Sequence, residues 1–269
     1  MLHLHVDNYD LAYLEAGQGT PLLCVHGSLS DFRIWAPVLG PLSQGHRVIT
    51  LSLRRYFPEH WDGVGAGFSI ARHVADVIGF IEALDAGPVH LLGHSRGGHI
   101  AFRVAEQRPD LLRKLILAEP GGQLDTSLVP EGQPASPLGA PLAAAAGLIG
   151  AGNVDAGLAL FLDAIDGDGA WRRLPPAEKQ QLRDNARTLI AQTNEGRQPY
   201  TRASVEGIRM PTLLVGGERT PGSLPVVLRA LAAHMPAAKV AIIPNTTHAM
   251  FVQDPPRFCA AVLEFLDTA

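Results

Sequence analysis

Short apolar runs that end at glycine, proline or a polar residue recur along the chain. Most are four or five residues long, which is the length of a strand covered on both faces of a sheet and is short for a buried helix. The runs are Pro21–Val25, Arg47–Leu51, Val89–Leu92, Leu115–Ala118, Thr212–Val215 and Lys239–Ile243. Two further runs, Leu2–Val6 and Leu11–Ala16, predict an opening antiparallel hairpin.

Helical patterns lie between these runs. Apolar residues recur on one stripe of Ile70–Leu84, and Gly87-Pro88 follows its end. Gly97–Gln107 and Phe258–Leu266 have similar patterns. The alternation predicts an α/β fold in which helices flank a mostly parallel central sheet through right-handed crossovers.

One long stretch, 121–209, has no strand pattern. Proline, glycine and alanine accumulate over 130–152, which predicts a mobile segment with few large apolar anchors. Helical patterns follow in Val154–Ile165 and Pro176–Gln192. We therefore predict that 121–209 is a helical cap inserted into a core.

Composition limits the domain organisation. The expected core consists of residues 1–120 and 210–269. With 269 residues, 46% of them hydrophobic, the chain is long enough for one large α/β sheet that carries an insertion. We find no internal repeat and no pair of linkers that would set the insertion apart as a second domain.

Charge and cysteine content exclude several classes of partner. The net charge of −4 provides no basic footprint for nucleic acid, and no stretch approaches the roughly 18 apolar residues of a membrane span. Cys24 and Cys259 both lie in apolar runs, so no disulfide framework is expected. With no signal-peptide pattern over Met1–His5, the cytoplasm is the expected compartment.

The motif Gly93-His94-Ser95-Arg96-Gly97 stands where a predicted strand ends and a helix begins. Small residues on either side allow the sharp turn that exposes a serine hydroxyl above the sheet. The N-terminus of the following helix offers free N–H groups and a positive dipole end to developing negative charge. Ser95 is therefore the candidate nucleophile, although a glycine-rich turn with an incidental serine would have the same pattern.

A serine hydroxyl needs a base, and histidine suits neutral pH. Of the eleven histidines, His248 follows the last predicted strand and precedes the last helix, so it should project from the same edge of the sheet as Ser95. His60 falls in a loop with no predicted element, and its role stays open.

An oxyanion hole needs two N–H donors about 3 Å from the developing charge. Arg96, directly after Ser95, should supply one amide. Ser28, in the turn that follows the strand ending at Val25, should supply the other. A plain strand-ending turn at His26-Gly27 remains the alternative.

These motifs together resemble the α/β-hydrolase fold over nearly the whole chain. The segment His26-Gly27-Ser28, the motif around Ser95, the Pro211–Val215 strand and His248 follow the order and spacing of that superfamily. The insertion after Ala118 stands where the superfamily carries its cap. The resemblance implies a serine hydrolase that needs no metal or organic cofactor, but it leaves the substrate open.

The third member of the expected triad departs from the common pattern. The superfamily usually has an acid at the position that Thr220 occupies here, and threonine cannot balance the charge of an imidazolium. A minority has the acid directly after the strand that follows the nucleophile helix, where this chain has Glu119. Zearalenone-type lactone hydrolases resemble that arrangement. Glu119 is therefore the expected acid, with Glu218 and Asp254 as alternatives.

A second departure is the segment Ser52–Phe57, which replaces a glycine-rich loop of the superfamily. Arg54 and Arg55 within it could bind a substrate carboxylate or brace the loop. In the cap, Trp171 and the residues around Phe161 could form an apolar pocket wall or pack internally.

The combined expectation is hydrolysis of a small carboxylic ester or lactone through an acyl-serine intermediate. Two alternatives share the fold and the triad, namely a carbon–carbon bond hydrolase and a cofactor-free dioxygenase. A third is a catalytically silent ligand-binding receptor, which the threonine at position 220 would favour. Oligomeric state is not encoded in these motifs.

Overall fold

An eight-stranded sheet forms the centre of the computed structural model, which describes residues 1–129 and 139–268. Its spatial order is β1-β2-β4-β3-β5-β6-β7-β8. The strands are β1 (Leu2–Val6), β2 (Tyr9–Ala16), β3 (Pro21–Val25), β4 (Arg47–Leu51), β5 (Val89–His94), β6 (Leu112–Ala118), β7 (Thr212–Gly217) and β8 (Ala238–Ile243).

The strand directions confirm the predicted α/β architecture. β1 pairs with β2 and β2 with β4 in antiparallel fashion, whereas all pairs from β4 through β3 to β8 are parallel. Asp7 and Asn8 form the turn of the β1–β2 hairpin with positive φ, a conformation that aspartate and asparagine tolerate better than most residues. The carboxyl ends of the central parallel strands therefore meet at one edge.

Twelve α-helices connect and cover the described strands. They are α1 (Ala36–Leu42), α2 (Ile70–Leu84), α3 (Arg96–Gln107), α4 (Gly139–Gly150), α5 (Val154–Asp166), α6 (Ala170–Arg173), α7 (Pro176–Asp184), α8 (Thr188–Gln192), α9 (Arg202–Glu206), α10 (Leu224–His234), α11 (Met250–Gln253) and α12 (Pro255–Asp267). Short 3-10 helices lie at Phe32–Trp35 and Pro109–Leu111. No helix in the described ranges is both long and apolar enough to cross a membrane.

Alternate strand residues pack into two hydrophobic clusters on opposite faces of the sheet. Leu91 points toward the face covered by α2, α3 and α10, whereas Leu92 points toward the face covered by α1, α11 and α12. Because both faces are covered at the centre of the sheet, β3, β5 and β7 are mostly apolar and show no regular alternation of polar and apolar residues. This is why the short apolar runs were sufficient to predict them.

The helices between β6 and β7 form a third cluster around Phe161 and Leu189, which also contains Leu29 from the turn after β3. The last part of the insertion packs against the sheet instead. Its residues Val205 and Ile208 belong to the same cluster as Leu91. The division into a core and a cap over 121–209 remains a prediction.

The expectation of a loosely anchored segment over 130–152 is wrong for its second part. Residues 130–138 lie outside the described part of the chain, but 139–150 form α4, in which Ala145 and Ile149 are completely buried. A Cβ at Gly157 of α5 would lie 2.6 Å from Ile149 Cγ1, so glycine lets the two helices approach closely. The small residues that predicted a mobile segment here allow α4 and α5 to pack closely.

The helix predicted over 176–192 is two helices, α7 and α8. Asn185 stands between them, and its side chain accepts a hydrogen bond from the backbone N–H of Phe57 (2.8 Å) and donates one to Asp31 Oδ2 (2.7 Å). These bonds join the insertion to loops of the core and end α7 where periodicity alone would continue it.

Candidate active site

Ser95 lies at a strained turn between β5 and α3. Its φ of 53° lies in the left-handed region that residues other than glycine rarely adopt. A Cβ at Gly93 would lie 2.3 Å from the carbonyl oxygen of Gly97, and a Cβ at Gly97 would lie 2.3 Å from the carbonyl oxygen of Val25. Both glycines are therefore sterically required, which accounts for the Gly-x-Ser-x-Gly spacing.

Backbone hydrogen bonds connect this turn to the end of β6. The Ser95 N–H donates to the Ala118 carbonyl (3.0 Å), and the Gly121 N–H donates to the Ser95 carbonyl (2.8 Å). Glu119 lies between these two bonds and also has a positive φ, of 41°. The segment that carries Glu119 is thus held at a fixed distance from the serine turn.

The Glu119 carboxylate is buried and uses both of its oxygens. Oε2 lies 2.7 Å from His248 Nδ1, and Oε1 accepts the backbone N–H of Gly217 at 2.8 Å. This pairing places the proton of a neutral His248 on Nδ1, because a carboxylate can only accept. Nε2 is then the unprotonated ring nitrogen, as a general base requires.

The two alternative acids are bound elsewhere. Glu218 Oε2 accepts the backbone N–H of Asn245, and Asp254 caps α12 by accepting from the N–H of Arg257. Thr220 is buried, and its hydroxyl forms no hydrogen bond within the described part of the chain.

The sequence motif did not indicate that the side chain of His94 contacts His248. Its ring packs on that of His248 with 4.4 Å between centroids, and its Nε2 lies 3.0 Å from the His248 carbonyl oxygen. Burial lowers the pKa of His94 well below the usual value, and the neighbouring His248 lowers it further. A neutral His94 therefore supports the His248 ring without adding charge.

The turn after β3 is held by His26. Its Nδ1 lies 2.8 Å from the Gly27 carbonyl oxygen, and its Nε2 accepts the backbone N–H of Leu53 at 3.0 Å. Burial lowers the pKa of His26 to about 4, so the ring stays neutral and makes both bonds. The backbone N–H groups of Ser28 and Arg96 form no hydrogen bond with the part of the chain that is described, which leaves both amides available.

The side chain of Arg96 is completely buried in a network that the sequence did not indicate. Its guanidinium donates to Glu195 Oε2 (2.6 Å) and to His73 Nδ1 (2.9 Å). Arg197 Nε donates to the other oxygen of Glu195 at 2.8 Å. Burial raises the pKa of Glu195, but the two guanidinium groups outweigh burial and hold it below the usual value.

Two cavities meet at Ser95. The first, of about 130 Å³, is lined by His248, by mostly apolar side chains and by the acidic side chains of Asp166 and Glu178, and we call it the His248 chamber. The second, of about 350 Å³, contains Arg197 and is called the Arg197 chamber. Ser28, Ser95 and Phe161 line both, so Phe161 forms an apolar wall of each chamber.

The remaining candidates have structural surroundings. Arg54 forms two hydrogen bonds with buried Asp76, and Arg55 bonds to Glu59, so both brace their loop. His60 is exposed. Trp171 does not line either chamber and lies against Lys179 and Arg183.

Among the described residues, no three His, Cys, Asp or Glu side chains are grouped so that they could hold a metal ion.

Solved structures with this fold include a carboxylesterase from Bacillus subtilis (TM-score 0.79, 16% identity, 99% of this chain and 90% of that one). The enol-lactonase from Burkholderia xenovorans is similar as well (TM-score 0.77, 18% identity, 99% and 100%). At these identities the likeness concerns the fold.

The relatives found by sequence match over different shares of this chain. An (E)-2-((N-methylformamido)methylene)succinate hydrolase from Acinetobacter baylyi is 32% identical over 113 residues, which is 41% of this chain and 41% of that enzyme. An uncharacterized protein from Mycobacterium tuberculosis is 29% identical over 98% of this chain and 80% of its own length.

The family model described as the Alpha/beta hydrolase family matches residues 22–262, which include every strand from β4 to β8 and all the candidate site residues. Hydrolase is the enzyme class that this family and the similar structures support. The chain therefore belongs to the α/β-hydrolase family.

Proposed function

We propose that the protein hydrolyses a carboxylic ester or lactone through an acyl-serine intermediate. The observation that carries this proposal is the 2.7 Å contact between Glu119 and His248 Nδ1 at the wall of a chamber that Ser95 also lines. A serine and a histidine that line one cavity, with an acid hydrogen-bonded to the histidine, form the constellation of a serine hydrolase.

In the first step, Ser95 Oγ attacks the substrate carbonyl while Nε2 of His248 accepts its proton. The imidazolium that forms is balanced by Glu119, whose position is fixed by the Gly217 N–H. His248 then protonates the leaving alcohol, or the ring oxygen of a lactone. Water, activated by the same histidine, hydrolyses the acyl-serine and regenerates Ser95.

The oxyanion of each tetrahedral intermediate needs donors that are already in place. The Ser28 and Arg96 amides meet this need. The Ser28 amide lies in the turn held by His26, and the Arg96 amide belongs to the first residue of α3. Loss of a single such donor costs about 10²- to 10³-fold in kcat in serine hydrolases.

The proposal is tested by labelling with a fluorophosphonate and by an activity screen over short esters, aromatic esters and lactones of several ring sizes. Ser95→Ala should abolish labelling and lower kcat by about 10⁴- to 10⁶-fold with an unchanged fold. Retention of near-native esterase activity by that variant would end the proposal. A labelled protein that turns over none of these substrates but cleaves a diketone would instead support carbon–carbon bond hydrolysis.

A further inference from the structure

The Arg197 chamber differs chemically from the His248 chamber. Among the described residues that line it, only Glu195 and Arg197 carry charge. The Glu195 side chain has no exposed surface, whereas 23% of the Arg197 side chain is exposed. The charge that a ligand in this chamber would meet is therefore the guanidinium of Arg197.

The positive charge of this guanidinium is only partly balanced. Glu195 is shared between Arg197 and the buried Arg96, so one carboxylate faces two guanidinium groups. His73, the other partner of Arg96, contributes no charge, because burial and the neighbouring Arg96 lower its pKa well below the usual value. The three charged groups together retain one positive charge beside a cavity that the cap partly closes.

One nitrogen of the Arg197 guanidinium also remains available. Nε and Nη2 are directed at Glu195 and at Gln192 Oε1, while Nη1 forms no hydrogen bond with the part of the chain that the structure describes. Gln192 is itself held, since its Oε1 also accepts the Ser28 hydroxyl at 2.8 Å. The guanidinium is thus fixed in orientation, and its Nη1 can donate to an anion such as a carboxylate.

We propose that the substrate is a carboxylate-bearing ester or lactone, whose anionic end binds to Arg197 in the Arg197 chamber while Ser95 attacks the carbonyl at the other end. This substrate class rests on the proposed ester or lactone hydrolysis. The His248 chamber, which is lined mainly by apolar side chains, receives the remaining part of the substrate. Half esters of dicarboxylic acids are the simplest members of the class.

The first test compares mono-4-nitrophenyl esters of glutaric and adipic acid with the same compounds methylated at the free carboxylate. We expect the native enzyme to prefer the anionic ester in kcat/KM. Arg197→Gln should lower the ratio of anionic to neutral kcat/KM by about 10- to 100-fold, the value of a hydrogen bond to a charged group. Arg197→Lys should restore part of this ratio, because it keeps the charge and loses the fork.

Arg209→Gln is the matched control, since it removes an equal charge from an exposed residue outside both chambers. The control should retain the native ratio. A native enzyme that prefers the neutral ester, or a ratio that Arg197→Gln leaves unchanged, would overturn the proposal. If Arg197→Gln does not fold, added salt provides a second measurement: it should lower the ratio in the native enzyme, and a ratio independent of salt would count against the subsite.

A binding measurement separates this proposal from the catalytic one. Ser95→Ala protein, titrated with monomethyl adipate and with dimethyl adipate, should bind the monoanion more tightly, and the additional substitution Arg197→Gln should remove that difference. Equal affinity for the two compounds would refute the subsite even if esters are hydrolysed. A preference for the monoanion without any ester turnover would refute the proposed hydrolysis and leave the subsite standing.

Discussion

Two side chains of the proposed triad stand on strained backbone. Ser95 and Glu119 have φ values of 53° and 41°, and such conformations cost on the order of 1–3 kcal/mol each. The bonds from Ser95 to Ala118 and from Gly121 to Ser95 hold both residues in place. The serine and the carboxylate therefore stay at the same edge of the sheet, where Glu119 Oε2 contacts His248 Nδ1.

The role of Glu119 gives a sharp prediction. Glu119→Gln should lower kcat by about 10²- to 10⁴-fold, because an amide can stabilise the wrong tautomer of His248 and carries no charge to balance the imidazolium. The measurement is steady-state kinetics on the best ester of the screen. The fold should persist, since the amide keeps the size of the side chain and can still accept from Gly217.

Glu218→Gln and Thr220→Ala are the controls for that experiment. Glu218 bonds to the backbone of Asn245, and Thr220 has no ionisable group, so each variant should retain kcat within a few-fold. A large loss in Glu218→Gln together with a small one in Glu119→Gln would assign the acid to the other strand.

The packing of α4 against α5 depends on one glycine. A Cβ at Gly157 would lie 2.6 Å from Ile149 Cγ1 and 2.7 Å from the Ala145 carbonyl oxygen. Gly157→Ala should therefore lower the free energy of unfolding by about 1–3 kcal/mol through overpacking, despite the better helix propensity of alanine. Urea unfolding monitored by tryptophan fluorescence provides the measurement.

Gly147 offers the matched control within α4. A Cβ there meets nothing within 4 Å, so Gly147→Ala should stabilise the protein by up to about 1 kcal/mol through helix propensity alone. If both substitutions stabilise the protein equally, the close approach of the two helices is not the reason for glycine at position 157.

Segments of the insertion between β6 and β7 meet the edge of the sheet that carries the proposed triad through polar contacts in addition to apolar ones. Asp166 at the end of α5 accepts the backbone N–H of His248, and Gln192 accepts the hydroxyl of Ser28. Glu195 holds Arg96, the residue next to the proposed nucleophile. These contacts orient the proposed base, the oxyanion turn and the serine turn, so the insertion takes part in forming the site as well as covering it.

Buried neutral histidines give the whole molecule a characteristic response to acid. Burial lowers the pKa of His26 to about 4 and, with Arg103 and other nearby arginines, that of His99 to about 3. His73 and His94 are lowered as well. The unfolded chain, with histidine pKa values near 6.5, then binds protons that the folded chain does not, so stability falls as pH drops from about 6.5 toward 4.

Each such histidine should add a slope of about 1.4 kcal/mol per pH unit to the free energy of unfolding within that window. His99→Phe tests this, because phenylalanine keeps an aromatic ring against Tyr200 and cannot titrate. Urea unfolding between pH 4.5 and 8 should show a slope reduced by about that amount in the variant. An unchanged slope would mean that His99 is protonated in the folded protein.

Local sequence patterns were sufficient to predict the features that depend only on residues close together along the chain. Strands buried on both faces are mostly apolar, so Pro21–Val25 and Val89–Leu92 were recognisable as short apolar runs. Helix α2 was predicted with the bounds it has, because its apolar stripe ends where Asp85 adopts a left-handed conformation. Gly93 and Gly97 marked the turn at Ser95, since steric requirements there are local.

Tertiary structure decided everything that joins distant segments. Glu119 and Glu218 both follow strands at the same edge, and only the folded chain shows that Glu119 bonds to His248 while Glu218 bonds to Asn245. The pairing of Arg96 with Glu195, 99 residues later, has no signature in sequence. Folding removes water from both charged groups at a cost, so each needs a partner of opposite charge. That partner is set by spatial proximity, which hydrophobic periodicity does not encode.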